Sequence, residues 1–192
     1  MSSARLDRDR AALVVVDVQE GFRKAIPDFG QVARATATLV RGAEAMGVPV
    51  IVTVQYPKGL GDTAPEVAEA LPEGAAPLEK MVFAASEAEG FDLEGRDQAV
   101  VCGIETHVCV NQTVLDLLAG GTEVQVVEDA VSSRFPESKR IGLRKMELAG
   151  AVLTSVETAL FELLGRAGTD EFKAVQRLIL DYAPNPGSGA KA

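Results

Sequence analysis

Histidine, cysteine and basic residues are scarce in this chain, and each scarcity closes off a class of function. His107 is the only histidine among 192 residues, so imidazole chemistry has a single candidate. There are two cysteines, Cys102 and Cys109, close together across a turn. That usage suits a reducing compartment and not a disulfide framework. Lys and Arg number 19 against 28 Asp and Glu, for a net charge of −9. Nucleic acids and anionic membrane surfaces attract basic patches, so neither is an expected partner. No apolar run approaches the ~20 residues of a membrane span, and the segment Met1 to Arg10 is charged, unlike a secretory signal. The cytoplasm is the expected location. What remains is a globular composition, 47% hydrophobic, with enough length for one domain and a sizeable core.

Strand and helix signals alternate along the chain without repeats. Apolar runs predict strands at Leu13–Val18, Val48–Val54, Met81–Ala84, Ala99–Ile104, Glu123–Glu128 and Ala151–Thr154. Helical periodicity covers Gln31–Met46, Thr106–Ala119, Glu137–Ala149 and Val156–Gly165, with Gly47, Gly120 and Gly150 marking helix ends. This alternation implies right-handed crossovers and a sheet covered on both faces. The expected architecture is a three-layer α/β/α, Rossmann-like fold around a central, mainly parallel, six-stranded sheet. One domain is expected over residues 1–182, with a disordered tail over 183–192. Tyr56 to Pro77, rich in Gly, Pro and Ala, reads as an excursion over the mouth of a site. An amphipathic helix at Asp170–Tyr182 is suited to docking on a neighbouring subunit.

Three segments carry chemistry. Val100-Val101-Cys102-Gly103-Ile104-Glu105-Thr106-His107-Val108-Cys109-Val110 reads as a buried strand, a glycine-hinged turn and a helix start. With Thr106 as N-cap, Cys109 falls in the first helical turn, where free N–H groups and the helix dipole favour a thiolate. A lone cysteine there is usually a small buried hydrophobe. Two further segments count against that reading. Ala11-Ala12-Leu13-Val14-Val15-Val16-Asp17 is a strand buried on both faces that ends in an acid, at the edge where parallel sheets bind ligands. Leu78-Glu79-Lys80-Met81-Val82-Phe83-Ala84 is a short apolar strand with a lysine near its start. Alone, Asp17 would be a turn residue and Lys80 an exposed edge charge.

Together, Asp17, Lys80, Cys109 and the turn Gly103-Ile104-Glu105-Thr106 resemble the isochorismatase-like cysteine hydrolases. The resemblance spans roughly residues 10 to 165 and includes Val50-Ile51-Val52-Thr53-Val54-Gln55-Tyr56-Pro57-Lys58-Gly59-Leu60-Gly61 and Val127-Glu128-Asp129-Ala130-Val131-Ser132-Ser133-Arg134. Its wording is most similar to the isochorismatase-domain-containing subgroup. The resemblance implies acyl transfer on a small carboxamide or related acyl substrate. Cys109 would be the nucleophile, Asp17 the proton carrier and Lys80 the ammonium beside it. Backbone N–H groups of Glu105 and Cys109 would form the oxyanion hole, with a cis Ile104–Glu105 peptide turning the Glu105 amide to the substrate. A homo-oligomer, dimer or higher, is also implied.

Gln19, Phe22, Gln55 and Tyr56 follow strand ends. Each reads equally as pocket lining or as loop polarity and core packing. His107 is expected to point away from Cys109, the Glu105 side chain to face solvent or a partner, and the Asp129–Arg134 turn to organise the sheet edge. Nicotinamidases of this family hold a divalent metal with an Asp and several His ligands after the second strand. This chain has Asp62 there and no histidine, a donor set too poor for such an ion. No metal or cofactor is expected. Two alternatives stay open: a vinyl-ether hydrolase in which the cysteine is dispensable, and a non-catalytic oligomeric scaffold.

Overall fold

The computed structural model describes residues 5–182. Six parallel strands form one sheet: β1 (Ala11–Val16), β2 (Val50–Gln55), β3 (Leu78–Lys80), β4 (Gln98–Ile104), β5 (Glu123–Ser132) and β6 (Val152–Thr154). Their spatial order is β3-β2-β1-β4-β5-β6, and every neighbouring pair is parallel. The order reverses beside β1, so the crevice between the ends of β1 and β4 is the switch point at which such sheets bind ligands. The helices are α1 (Phe29–Ala45), α2 (Pro57–Leu60), α3 (Pro65–Ala68), α4 (Asn111–Ala119), α5 (Pro136–Leu148), α6 (Val156–Leu164) and α7 (Asp170–Tyr182).

The layering follows from strand alternation. Successive side chains leave a strand on opposite faces. Leu13 and Val15 of β1 pack with Leu39, Leu160 and Val175 of α1, α6 and α7. Val14 and Val16 pack with Val114, Leu117, Leu143 and Met146 of α4 and α5. Both faces of β1 are therefore dry, which is why its sequence is a continuous apolar run and not an alternating one. Among the described residues no helix is long and apolar enough to cross a membrane.

Several sequence expectations need correction. The third strand is Leu78–Lys80, not Met81–Ala84. The carbonyls of Val82 and Phe83 turn back to accept hydrogen bonds from the Lys80 ammonium, and the Met81 and Phe83 side chains are left 71% and 51% exposed. β5 runs on to Ser132, past Glu128, with a register shift against β4 between Val101 and Gly103. Thr106 is not an N-cap. Glu105 precedes the helix in extended conformation, the first turn (Thr106–Val110) is a π-helix, and the Thr106 hydroxyl is buried without a hydrogen-bond partner. Finally, α7 does not keep its apolar face for a neighbour. Val175 and Ile179 are buried in this chain's own core, and Tyr182 Oη donates to Asp129 Oδ2 at 3.1 Å. The tail expected over 183–192 lies outside the described residues.

Candidate active site

The carboxyl ends of β1, β2 and β3 converge on one buried carboxylate. Asp17 follows β1 with φ of 52°, a left-handed conformation that non-glycine residues rarely adopt. It is 0% exposed. Its Oδ1 accepts a hydrogen bond from Thr53 Oγ1 at 2.7 Å, and its Oδ2 accepts one from Lys80 Nζ at 2.6 Å. Lys80 Nζ also faces Gln55 Oε1 at 2.8 Å, Phe83 O at 2.9 Å and Val82 O at 3.2 Å. Removing two charges from water is costly unless their remaining hydrogen-bonding capacity is met. Here an oxygen cage around the ammonium and the Thr53 hydroxyl on the carboxylate supply that compensation.

Cys109 reaches this pair from the turn after β4. Gly103 makes the approach possible. Its φ is +123°, and a Cβ there would lie 2.0 Å from the Val16 carbonyl oxygen, so only glycine lets the ends of β4 and β1 come this close. The Ile104–Glu105 peptide that follows is cis. The Glu105 carbonyl accepts from the N–H groups of Val108 (3.0 Å) and Val110 (3.3 Å), on either side of Cys109. Such widened turns recur at functional sites. Thr113 Oγ1 donates to the Cys109 carbonyl and accepts from the Ala85 N–H, both at 2.7 Å, which anchors the turn to the segment after Phe83.

The charges of Asp17 and Lys80 both act on the Cys109 thiol. Burial, and then the negative charge of Asp17, push this thiol up to about 12, against the smaller opposing pull of Lys80. Burial thus works against the thiolate that the helix start was expected to favour. A thiol near a carboxylate can still react as a nucleophile, provided its proton passes to that carboxylate as sulfur attacks. Cys102, fully buried in β4, is likewise pushed up to about 12 by burial.

The other sequence candidates fall into different places. Gln55 orients Lys80, and its own Nε2 donates to the Met81 carbonyl at 3.1 Å. Gln19 is 0% exposed. Its Nε2 donates to the carbonyls of Gln55 (3.0 Å) and Gly61 (2.7 Å), and its Oε1 accepts from the Gln55 N–H at 2.8 Å. Its amide thus ties β2 to the loop beyond α2. Phe22 is half-buried against the core. Tyr56 is 46% exposed, with its ring close over Gly59. The Glu105 side chain does not face solvent. It is 6% exposed, and its Oε1 accepts from both the N–H and the Nε of Arg134 at 3.0 Å. His107 Nδ1 lies 3.0 Å from Ser133 Oγ. Among the described residues no group of three His, Cys, Asp or Glu could hold a metal ion. Sequence reasoning missed Thr53, whose one signal is a hydroxyl in the otherwise apolar run of β2, and the Glu105–Arg134 pair, which no local pattern announces.

A parallel sheet clothed by helices on both faces, with an acid, a lysine and a thiol gathered at its carboxyl edge, is a three-layer α/β/α scaffold of the kind its hydrolase neighbours share. Residues 11–158 match the isochorismatase domain model, and the chain belongs to that family. It is 40% identical over 178 residues to isochorismatase domain-containing protein 2 of Macaca fascicularis, an alignment covering 91% of this chain and 85% of the relative. Among solved structures, the MAR1 ribonuclease from Caenorhabditis elegans superposes with a TM-score of 0.89 at 39% identity, covering 98% of each chain. The YcaC gene product of Escherichia coli, described as an octameric hydrolase of unknown specificity, superposes with a TM-score of 0.85 at 26% identity, over 95% of this chain and 94% of that one.

Proposed function

We propose that this protein is a metal-independent cysteine hydrolase of a small carboxamide or related acyl compound. The observation that carries this reading is a fully buried carboxylate, Asp17, ion-paired to Lys80 at 2.6 Å, with the Cys109 thiol near enough to feel the charge of both. Asp17 accepts the thiol proton as Sγ forms a bond to the substrate carbonyl carbon. The carbonyl oxygen takes up the negative charge and is held by the backbone N–H groups of Glu105 and Cys109. The C–N bond then breaks, and the leaving amine takes the proton from Asp17. A thioester on Cys109 remains. Water attacks it, Asp17 takes the water proton, and that proton returns to sulfur as the acid departs. Lys80 stays an ammonium throughout and offsets the charge of Asp17. Gln55 acts by placing Lys80, and Gln19 by placing Gln55, leaving Phe22 and Tyr56 as the candidates for substrate contact.

No step is given to a metal, because Asp62 without histidine neighbours is too poor a donor set. The ribonuclease name of the C. elegans neighbour is not carried over, since a net charge of −9 repels a polyanion. The octameric relative supports a homo-oligomer, and the two free thiols fit a cytoplasmic setting. A second reading draws on the upward push on the Cys109 thiol: a vinyl-ether hydrolysis in which Asp17 handles the proton and the thiol is dispensable. Screening small carboxamides and esters against the wild type and Cys109→Ala, with intact-mass detection of an acyl adduct, separates the two. Turnover lost with Cys109→Ala and an adduct on Cys109 support the thioester route; turnover kept by Cys109→Ala overturns it.

A further inference from the structure

Glu105 and Arg134 leave neighbouring strands at the same level. β4 and β5 pair Gly103 with Val131 and Ile104 with Ser132, so the residues that follow emerge side by side at the carboxyl edge. The Glu105 side chain is buried. One of its oxygens, Oε1, accepts from both the N–H and the Nε of Arg134 at 3.0 Å. After burial and Asp17, the charge of Glu105 also pushes the Cys109 thiol up, so the pair lies within electrostatic reach of that sulfur. Arg134 is fixed at its base and left open at its tip. Its side chain is 51% exposed, and among the described residues its Nη groups have no protein partner. Arg23, in the segment that leaves β1, is a contrast. Its Nε is held by Glu20 and its Nη2 by Glu20 and Glu66, so its fork is spent. The Lys80 ammonium is spent too, on Asp17, Gln55, Val82 and Phe83.

We propose that Arg134 receives a carboxylate of the substrate, so that the compound hydrolysed at Cys109 is a small carboxamide that also carries an acid group. The proposal rests on the reading of Cys109 as the attacking thiol and of the Glu105 N–H as an oxyanion donor. On that reading a single residue spaces the two anchors: the Glu105 backbone holds the carbonyl oxygen and its side chain holds the guanidinium. Spacing fixed in this way helps to place the reacting carbon. An unspent guanidinium fork matches a carboxylate through two parallel N–H bonds. Phe22 and Tyr56 offer rings but no charge. In a chain of net charge −9, an anion approaches the thiol only where a cation offsets Asp17 and Glu105.

N-(Iodoacetyl)glycine and its uncharged amide, N-(iodoacetyl)glycinamide, carry the same electrophile. The ratio of their alkylation rates at Cys109 is therefore independent of how much thiolate is present. Read by peptide mass spectrometry on the full chain in alkaline buffer, the acid-to-amide ratio should exceed that of the urea-unfolded chain by about tenfold, the scale of one charge-assisted hydrogen bond. Arg134→Gln should bring the ratio down to the unfolded value. Glu105→Gln/Arg134→Gln removes both charges and leaves no buried acid unpaired, so it should give the same low ratio even where the single variant fails to fold. A purely structural role for Arg134 would change both rates alike and leave the ratio where it was. A wild-type ratio equal to that of the unfolded chain, or a ratio unchanged in the variants, overturns the proposal. Turnover kept by Cys109→Ala would overturn the hydrolase reading instead, and the alkylation ratio, which needs no turnover, is read apart from it.

Discussion

Two groups of charge sit at opposite ends of the same strands. At the amino ends of β1, β4 and β5, Arg10 pairs with Asp97 at 2.8 Å and with Glu123 at 3.3 Å. At the carboxyl ends, Asp17 pairs with Lys80 at 2.6 Å, and Glu105 with Arg134 at 3.0 Å. The distances barely differ; the surroundings do. Arg10 and Asp97 have side chains 37% and 62% exposed, whereas Asp17 and Lys80 are at 0% and 0%. Water and salt screen the first group, so its geometry contributes little to stability. Nothing screens the Asp17–Lys80 pair, and in such a place an apolar pair of the same volume often serves the fold as well or better. Proximity alone therefore says little about what an ion pair is for. A pair maintained at the cost of full desolvation is not accounted for by stability, and that is the ground for the catalytic role proposed for it.

The sharpest way to break this contrast is Asp17→Asn. On a substrate recovered from the amide screen, kcat should fall by about 10²–10⁴-fold, the usual share of a positioned acid–base group, with circular dichroism unchanged. Undiminished turnover would remove Asp17 as proton carrier. Next in size is Lys80→Met, which leaves a buried carboxylate without its cation. Urea unfolding should show a loss of about 3–5 kcal/mol, largely recovered in the double variant Asp17→Asn/Lys80→Met. A full loss in the double variant would mean that packing, not charge, holds this region.

Alkali probes the same region from another side. Both thiols are pushed up from 9.0 to about 12. Between those values the unfolded chain has lost protons that the native state still holds, so stability falls as pH rises through this interval. Cys102→Ala should flatten that fall, read as urea midpoints against pH. Iodoacetamide labelling of Cys109 should likewise rise only in strongly alkaline buffer; fast labelling at neutral pH would show that the thiolate is favoured after all. The smallest effect is expected at the other end of the sheet. Arg10→Ala should scarcely move the urea midpoint, and any change should vanish at high salt.

Much of the fold was legible because burial leaves a compositional trace. Ala11–Val16 and Gln98–Ile104 are buried throughout, and apart from Gln98 every residue of both strands is apolar. Met81–Phe83 misled for a related reason. Three apolar residues look like a strand, but their role is carried by backbone carbonyls, which every residue has and no sequence marks. Asp17, Lys80 and Cys109 could be singled out because each interrupts or ends an apolar run. The Glu105–Arg134 contact could not, since it joins positions 29 residues apart through exposed-looking polar residues. The upward push on the Cys109 thiol was not foreseen because local helix geometry is visible in sequence and depth of burial is not.

Gly103 has a consequence for how this scaffold can be altered. The spacing between the Asp17 and Cys109 segments is set by one backbone against another, with no side chain between them. Replacing residues on the loop between β2 and β3 does not touch that backbone contact. The lining of the site can then drift, by selection or by design, while Asp17 and Cys109 stay fixed. Any side chain at position 103 would separate the two segments at a stroke, so the freedom of the walls depends on the strictness of a single glycine.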